Sequence, residues 1–327
     1  MTLTQLEYIL AVDEYRSFSK AAKANSVTQP SLSMQLQKLE EELGIIIFDR
    51  SKNPIIPTLE GEDILKQARL VIKESQKITT ILEEKKRILT GDFKLAVIPT
   101  ISPYLIPLFV NKITEKHSKL RLTIEEHKTE DILKYLDEDK IDAAIMATPL
   151  YQDNLIERVL YYEPFCVFVS PEHRLSTKSK INPADLNVDE IWPLNKGNCF
   201  RDQVINICSS EESKNKKLKD KRISYESGSF DTLKNMVLKC GGITILPWLL
   251  IQDLPEKMQK EYVKNFIKPI PTREISIVYA RSFHKERIIN SLEEEIINAL
   301  PAGVKALKKN NASIDIIDFT NDTDHEE

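Results

Sequence analysis

The sequence predicts an α/β protein in which a small helical unit and one long helix precede an alternating region of strands and helices. Residues 1–60 place apolar side chains at helical spacing, interrupted by short turns. Residues 58–89 repeat apolar side chains every seven positions, and residues 91–300 alternate short apolar runs with amphipathic segments. With 327 residues, of which 41% are hydrophobic, the chain is long enough for two or three domains.

Composition narrows the class of protein. The net charge is −4, and residues 1–60 carry six Lys or Arg against eight Asp or Glu, so bulk charge gives no sign of a nucleic-acid partner. The first residues do not resemble a signal peptide, and no apolar run reaches the roughly 18 residues of a membrane span. We therefore expect a cytoplasmic protein without membrane contact, whose four cysteines are thiols.

Three short helices are predicted at the start of the chain. Residues 4–15 form the first, because Thr4 and Glu7 have the capping-box spacing ahead of apolar residues. Ser17 caps the second helix and Thr28 caps the third. The tight turn between the second and third helices makes this pair a helix-turn-helix unit.

The third helix has a polar, uncharged face opposite a leucine face. Gln and Ser side chains can bond base edges in the major groove, whereas Lys and Arg bind phosphates. We therefore predict double-stranded DNA as the partner of this unit, although an ordinary polar surface or a protein contact stays open. The predicted DNA-binding residues are Thr28, Gln29, Pro30, Ser31, Ser33, Gln37, Lys38, Arg50 and Lys52.

A β-hairpin is predicted after the third helix. The apolar run 45–48 reads as a strand that pairs with residues 55–56 across a turn carrying Arg50 and Lys52. Such a wing places basic side chains beside backbone phosphates or the adjacent minor groove. With it, residues 1–58 make a winged helix-turn-helix domain.

Residues 59–89 are predicted to be a long linker helix. Ile64, Val71 and Ile78 fall seven residues apart, as in a heptad seam. Pairing with the same helix of a second subunit would suit paired DNA half-sites, so we expect a homodimer. Packing of the seam within one chain is the alternative.

Residues 91–300 are predicted to form a two-lobed α/β domain with mainly parallel sheets, the inner lobe spanning about 164–268. Ligands in such folds bind beyond the carboxyl ends of strands, so Thr100 and Thr129 are candidate lining residues. The tail, residues 301–327, ends in acidic sequence with few core residues and is predicted to be largely disordered.

Cys199 and Cys208 are separated by eight residues, and several roles compete for them. A metal site is not predicted, because no histidine lies near them and zinc needs four ligands. A hydrolytic nucleophile would need a histidine base from elsewhere, which stays open, and inert buried thiols are the plain alternative. Lys196, Arg201 and a helix starting near Arg201 would all favour a partly exposed Cys199 thiolate.

A disulfide between these cysteines would couple oxidation to conformation. Peroxide oxidises a thiolate to sulfenic acid, which a nearby thiol captures as a disulfide. If the intervening residues are helical, the two backbones stand roughly 13 Å apart, whereas a disulfide tolerates about 7 Å between Cα atoms. The bond could then form only if the helix comes apart.

The segment SFSKAAKANSVTQPSLSMQLQKLEEELGIIIFDR resembles the winged helix-turn-helix of LysR-type transcriptional regulators. The segments GNCFRDQVINIC, IPTISPYLIP, TLKNMV and GGITILP resemble the peroxide-sensing activators within that family. The likeness covers nearly all of residues 1–300, and it implies a two-lobed regulatory domain of the periplasmic-binding-protein type. One departure is Asn198, which stands where the family often has histidine.

The resemblance also implies roles and partners. Cys199 would be the peroxidatic cysteine and Cys208 the resolving one. The partners would be promoter DNA, hydrogen peroxide, further copies in a homodimer or homotetramer, RNA polymerase and a thiol reductant of the glutaredoxin or thioredoxin type, with no cofactor. The residues implied to surround the peroxide and support the thiolate are Thr100, Thr129, Arg201, Asp202 and Gln203.

Three functions are compatible with these features. We expect a transcriptional regulator of oxidative-stress genes, not an enzyme, that senses hydrogen peroxide through a reversible Cys199–Cys208 disulfide. The alternative is a LysR-type regulator that responds to a small-molecule effector in the α/β cleft. A thiol peroxidase is a third reading, but a peroxidase has no use for a DNA-binding module.

Overall fold

The structure is a computed structural model in which two compact units are described. The first unit is mainly Met1–Leu89, and the second comprises Thr90–Asp137 and Ile141–Glu327. No helix among the described residues is long and apolar enough to cross a membrane. The described residues are 1–84, 89–208, 225, 227–281, 285–307 and 312–319.

Three helices open the first unit: α1 (Leu3–Tyr15), α2 (Phe18–Ala24) and α3 (Gln29–Leu43). The side chains of Ser17 and Thr28 accept backbone N–H groups at the starts of α2 and α3, as predicted. The leucine face of α3 lies in the core of this unit. The buried residues of that core include Leu6, Ile9, Val12, Ala21, Leu32, Leu36, Leu39 and Phe48.

The predicted capping box of α1 is wrong by two residues. Thr2, not Thr4, is the N-cap: its side chain accepts the N–H of Gln5 at 3.3 Å. Gln5 Oε1 in turn accepts the N–H of Thr2 at 2.9 Å. A glutamine side chain can accept the N-cap N–H as well as a glutamate side chain can. Thr2 and Gln5 therefore fit the capping-box pattern as well as the predicted Thr4 and Glu7 do.

The wing is shorter than predicted. Its strands are β1 (Phe48–Asp49) and β2 (Ile56–Pro57), which pair antiparallel. The run before Phe48 is not a strand, because the N–H of Ile47 donates to Glu40 Oε1 at 2.8 Å instead of to a neighbouring strand. A side-chain carboxylate therefore replaces part of the expected ladder.

The described part of the linker helix α4 spans Leu59–Glu84, and Leu89, the predicted limit, is not helical. Residues 85–88 lie outside the described part of the chain. Ile64 and Val71 are partly buried against the core of the first unit. This is the arrangement expected if this part of the seam packs within one chain. Ile78 is 67% exposed, so the later part of the predicted seam is available to a second copy.

The second unit alternates strands and helices and confirms the predicted two-lobed α/β class. Its first elements are β3 (Gly91–Val97), α5 (Ser102–Lys116), β4 (Leu120–Glu126), α6 (Thr129–Asp137), β5 (Ala143–Thr148), β6 (Leu155–Val169), β7 (Lys180–Ile181) and α7 (Cys199–Cys208). The remainder are α8 (Phe230–Cys240), β8 (Ile243–Pro247), α9 (Trp248–Gln252), α10 (Glu256–Tyr262), β9 (Val263–Phe266), β10 (Ile270–Ala280), α11 (Glu286–Ala299), α12 (Ala302–Lys305) and β11 (Ile314–Ile316).

Strand β6 joins the two lobes. Its first part pairs with β10 and its last part, from Phe165 onward, pairs with β8 and β9. The strand order is β4-β3-β5-β10-β6-β9-β7, with β8 on β6 and β11 on β10. Among the strands of the described residues, β3 pairs parallel with β4 and β5, β7 with β9, and β10 with β11, but the longest pairing, β6 with β10, and the pairing of β6 with β8 are antiparallel, so the expectation of mainly parallel sheets is wrong. Strand β10 runs antiparallel to both β5 and β6.

Part of the predicted disordered tail is ordered. Strand β11 pairs parallel with β10, with Ile270 opposite Ile314, and Phe319 is buried. The expectation failed because it was based on acidic composition, whereas Ile314 and Ile316 alternate with Asp315 in the period of an edge strand. Residues 320–327 lie outside the described part of the chain.

Replacing Glu40 with Ala should destabilise the first unit by about 2 kcal/mol, since it leaves the N–H of Ile47 buried without an acceptor. The matched control is Glu41→Ala, an exposed neighbour on the same helix, for which we expect about 0.5 kcal/mol or less. Calorimetric unfolding of the full-length variants measures both. Equal effects of the two substitutions would contradict this role of Glu40.

Candidate functional site

The predicted DNA-binding residues of α3 lie on the surface of the first unit. Ser31 and Ser33 are half-buried. The exposed members of the set are Thr28, Gln29, Pro30, Gln37 and Lys38. This arrangement gives the face opposite the leucines short polar groups that can reach base edges, with one lysine at its side.

The two basic residues of the wing differ in what holds them. Lys52 is exposed. Arg50 donates from Nη2 to Glu40 Oε2 at 2.6 Å and lies over the ring of Phe18, 5.2 Å from its centroid. Because this guanidinium is already paired with a carboxylate, it holds the wing against α3. Only its exposed part can contact a phosphate.

Both cysteines of the predicted pair belong to one helix. Helix α7 begins at Cys199, two residues earlier than predicted, and ends at Cys208. At 1.5 Å of rise per residue, nine steps separate their Cα atoms by about 13.5 Å along the axis. Both are free thiols in the structure. A disulfide, which tolerates about 7 Å between Cα atoms, requires α7 to unwind.

The environment of Cys199 differs from the prediction. Its side chain is buried, with 6% exposure, rather than partly exposed. Burial raises the pKa of the thiol, while a hydrogen bond with Thr129 and the charge of Arg273 act in the opposite direction. The expected low pKa is therefore wrong, because arguments from neighbours in the sequence do not include desolvation. The resting form of Cys199 is a buried thiol supported by two groups that stabilise its anion.

Cys208 lies in an apolar environment at the other end of α7. It is 3% exposed and belongs to the apolar cluster of the lobe that contains β7, β8 and β9, here called the second lobe. Burial alone raises its pKa to about 12. As long as α7 is folded, Cys208 is kept as a thiol and away from Cys199.

A buried ion pair lies next to the Cys199 end of α7. Arg273 donates from Nε and Nη2 to Glu163 Oε2 at 2.9 and 2.7 Å, and both side chains are 1% exposed. Its guanidinium also lies over the ring of Phe200, 5.0 Å from the centroid. A buried guanidinium with one carboxylate partner supplies positive charge where a thiolate would form.

Thr100 is bound to the same guanidinium. Arg273 donates from Nη1 to Thr100 Oγ1 and from Nη2 to Thr100 O, both at 3.1 Å. Thr100 and Thr129 follow β3 and β4, as the sequence indicated, and both are buried. The structure thus brings Thr129 to Cys199 and links Thr100 to Arg273, which influences the same sulfur.

The other three predicted residues have different partners. Arg201 is buried and donates from Nη1 to Leu194 O at 2.8 Å, so it holds the segment before α7. Gln203 is fully buried and donates from Nε2 to Ile317 O at 2.8 Å. Asp202 is half-buried, and its charge raises the pKa of Cys199. The contacts of Arg201 and Gln203 position α7, and Asp202 influences the sulfur through its charge.

Sequence reasoning missed Arg273 and Glu163. The available signal was charge inside apolar stretches of strand: Arg273 with Glu274 in β10, and Glu163 beside the apolar second half of β6. Charged residues are rarely buried without a partner, so two such positions indicate a pair. Nothing in the sequence showed that residues 110 positions apart would meet.

The turn before α7 is also specific. Gly197 has φ of +82°, in the region that favours glycine, and an added Cβ would lie 3.4 Å from Lys128 Nζ. Asn198, which stands where the family often has histidine, donates its amide to Asn195 O at 3.2 Å and to Asn195 Oδ1 at 2.5 Å. Asn198 therefore stabilises the turn. Lys128, the residue before Thr129, places a second cation near the start of α7.

Comparisons with known proteins agree with this architecture. Residues 3–62 match the bacterial regulatory helix-turn-helix protein, lysR family, and residues 86–300 match the LysR substrate binding domain. The "Hydrogen peroxide-inducible genes activator" of Haemophilus influenzae is 30% identical over 92% of this chain and 99% of its own. The "DNA-binding transcriptional dual regulator OxyR" of Escherichia coli K12 is 32% identical over 85% of this chain and 89% of its own.

A solved structure supports the same assignment. A full-length OxyR variant from Pseudomonas aeruginosa superimposes with a TM-score of 0.77 at 32% identity, covering 91% of this chain and 98% of that one. The predicted resemblance and the predicted fold class are both confirmed. The chain belongs to the LysR family of transcriptional regulators, and the relatives it resembles include the hydrogen peroxide-inducible activators called OxyR.

Proposed function

We propose that this protein is a DNA-binding transcriptional regulator that senses hydrogen peroxide through a reversible Cys199–Cys208 disulfide and controls oxidative-stress genes. The observation that carries the proposal is the position of two free thiols at opposite ends of one ten-residue helix. The names of the relatives, which describe hydrogen peroxide-inducible activators, give the oxidant and the output.

The chemistry takes two steps. The Cys199 thiolate attacks one oxygen of hydrogen peroxide, the O–O bond breaks, and the second oxygen leaves as water after taking up a proton. The product is a Cys199 sulfenic acid. The sulfur of Cys208 then attacks the sulfenic sulfur, the S–O bond breaks, and the hydroxyl leaves as a second water with the Cys208 proton. Two thiols are oxidised, and one peroxide is reduced to two waters.

The residues around Cys199 are suited to the first step. The hydroxyl of Thr129 and the charge of Arg273 both lower the pKa of Cys199 against the effect of burial. We propose that the Thr100 and Thr129 hydroxyls also bind the peroxide. Arg201 and Gln203 complete the site by holding α7 and the segment before it, whereas the charge of Asp202 raises the pKa of Cys199.

The second step moves hydrophobic side chains. Phe200 packs against Phe165 and Phe230, with ring centroids 5.1 and 4.9 Å apart, and Val204 and Ile207 are buried in the same cluster. Unwinding α7 withdraws these side chains from the lobe core. We propose that the repacked lobe alters contacts between copies in a homodimer or homotetramer and so changes how promoter DNA and RNA polymerase are engaged.

The reset and the location complete the proposal. The disulfide returns to two thiols by exchange with a reductant of the glutaredoxin or thioredoxin type, which restores α7. We place this cycle in the cytoplasm, where promoter DNA is found and where such reductants keep thiols reduced.

Substituting the cysteines tests the proposal. Cys199→Ser should abolish both disulfide formation and peroxide-induced transcription, whereas Cys208→Ser should still form the sulfenic acid but no intramolecular disulfide. Mass mapping of alkylated peptides after stoichiometric peroxide measures the chemistry, and a promoter reporter measures the output. Cys240→Ser, at an exposed cysteine, is the control and should behave like the parent. Full induction in Cys199→Ser would overturn the proposal.

Thr129→Val should slow the first step by about tenfold at pH 7, because it removes a hydrogen bond that favours the thiolate. Since the thiolate is the reactive form and burial raises the pKa of Cys199, the rate should rise with pH in both proteins, and the rise should shift to higher pH in the variant. Stopped-flow kinetics of thiol loss across pH measures this. Thr129→Ser keeps the hydroxyl and serves as the control; an unshifted profile in Thr129→Val would exclude this role.

A further inference from the structure

Residues 312–319, here called the C-terminal segment, are bound to the second unit beyond the family domain. The family match ends at residue 300. The segment carries β11, which pairs with β10: Ile270 donates its N–H to Ser313 O at 2.8 Å, and Ile317 donates its N–H to Thr272 O at 2.9 Å. Its backbone is therefore fixed to the same strand that carries Arg273.

The C-terminal segment also binds the helix that holds the two cysteines. Gln203 Nε2 donates to Ile317 O at 2.8 Å, and Asn206 Nδ2 donates to Asp318 O at 2.9 Å. Residues three apart lie on the same face of a helix. Two consecutive carbonyl groups of the segment are thus acceptors for one face of α7, between Cys199 and Cys208.

Further contacts hold the segment in place, one of them with a loop outside α7. Phe319 is 8% exposed, and Ile317 packs partly buried against the apolar cluster of the second lobe. Asp318 Oδ2 accepts the hydroxyl of Tyr151 at 2.9 Å, from the loop between β5 and β6. Because β10, the lobe core and this loop all hold the segment, its carbonyl groups present a fixed surface to α7.

The contact with Gln203 is the more consequential of the two. Gln203 is fully buried, and its Oε1 has no hydrogen-bond partner among the described residues. A carbonyl group can only accept, so the NH2 end of the amide must face Ile317 O. If the segment left, both ends of a buried amide would lack protein partners, which disfavours the folded position of Gln203.

We propose that the C-terminal segment is a clamp on α7 that slows closure of the Cys199–Cys208 disulfide, with Gln203 and Asn206 as the positioning residues that receive it. The proposal rests on the proposed function. It concerns the second step, in which the Cys208 sulfur bonds to the Cys199 sulfenic sulfur and the hydroxyl leaves as water with the Cys208 proton. Since α7 must unwind for that step, both amide hydrogen bonds to the segment must break first.

Two truncated chains and one substitution test the clamp. A chain ending at Asn311 lacks the segment, whereas a chain ending at Phe319 keeps it and loses only the last eight residues, many of them acidic. Ile317→Pro in the full chain removes the N–H donor to Thr272 O and tests the segment without truncation. The parent and the chain ending at Phe319 are the matched controls.

Hydrogen exchange of the reduced proteins reports the stability of α7 without peroxide. We expect the amides of α7 to exchange about tenfold faster in the chain ending at Asn311 and in Ile317→Pro than in the controls, because two hydrogen bonds to the helix are lost. Equal exchange of α7 in all four proteins would overturn the clamp.

The rate of disulfide closure is the second measurement. It is followed by quenched alkylation at peroxide concentrations where the rate no longer depends on peroxide. We expect disulfide closure to be several-fold faster in the chain ending at Asn311 than in the parent. If all chains form the disulfide at equal rates, the clamp is overturned but the proposed function is not. Failure of every chain, including the parent, to form the disulfide would instead overturn the proposed function and any effect on closure with it.

Discussion

The length of one folded helix limits whether Cys199 and Cys208 can bond to each other. Cys199 and Cys208 begin and end α7, and nine residues of helical rise hold their backbones about 13.5 Å apart. A disulfide tolerates roughly half of that distance. The bond and the helix therefore exclude each other, and any oxidant that joins the two sulfurs necessarily rearranges this part of the second lobe.

Burial decides how far that rearrangement spreads. The inner face of α7 supplies Phe200, Val204 and Ile207 to the apolar cluster of its lobe. Because interiors are closely packed, withdrawal of these side chains cannot be confined to the helix. The same burial raises the pKa of both cysteines, so neither is a freely reactive thiolate in the folded state. In the proposed function, the reactivity of Cys199 depends on the few groups that oppose desolvation.

Those groups come from separate parts of the chain. Thr129 begins α6, Arg273 lies in β10, and Glu163, which binds Arg273, lies in β6. Strand pairing between β6 and β10 places Arg273 opposite Glu163 in register. The sheet thus positions the charged groups near the Cys199 sulfur. The C-terminal segment adds β11 to β10, the strand that carries Arg273, so it can influence α7 from the same strand.

Much of this architecture was determined by the sequence alone. The caps at Ser17 and Thr28 and the leucine face of α3 are local patterns, and each predicted its element, because helical periodicity and capping depend on residues a few positions apart. Tertiary structure decided the rest: the hydrogen bond from Ile47 to Glu40 before the wing, the Arg273–Glu163 ion pair, the raised pKa of Cys199 and the ordered strand β11. Each of these depends on burial or on partners distant in the chain, which residue spacing does not encode.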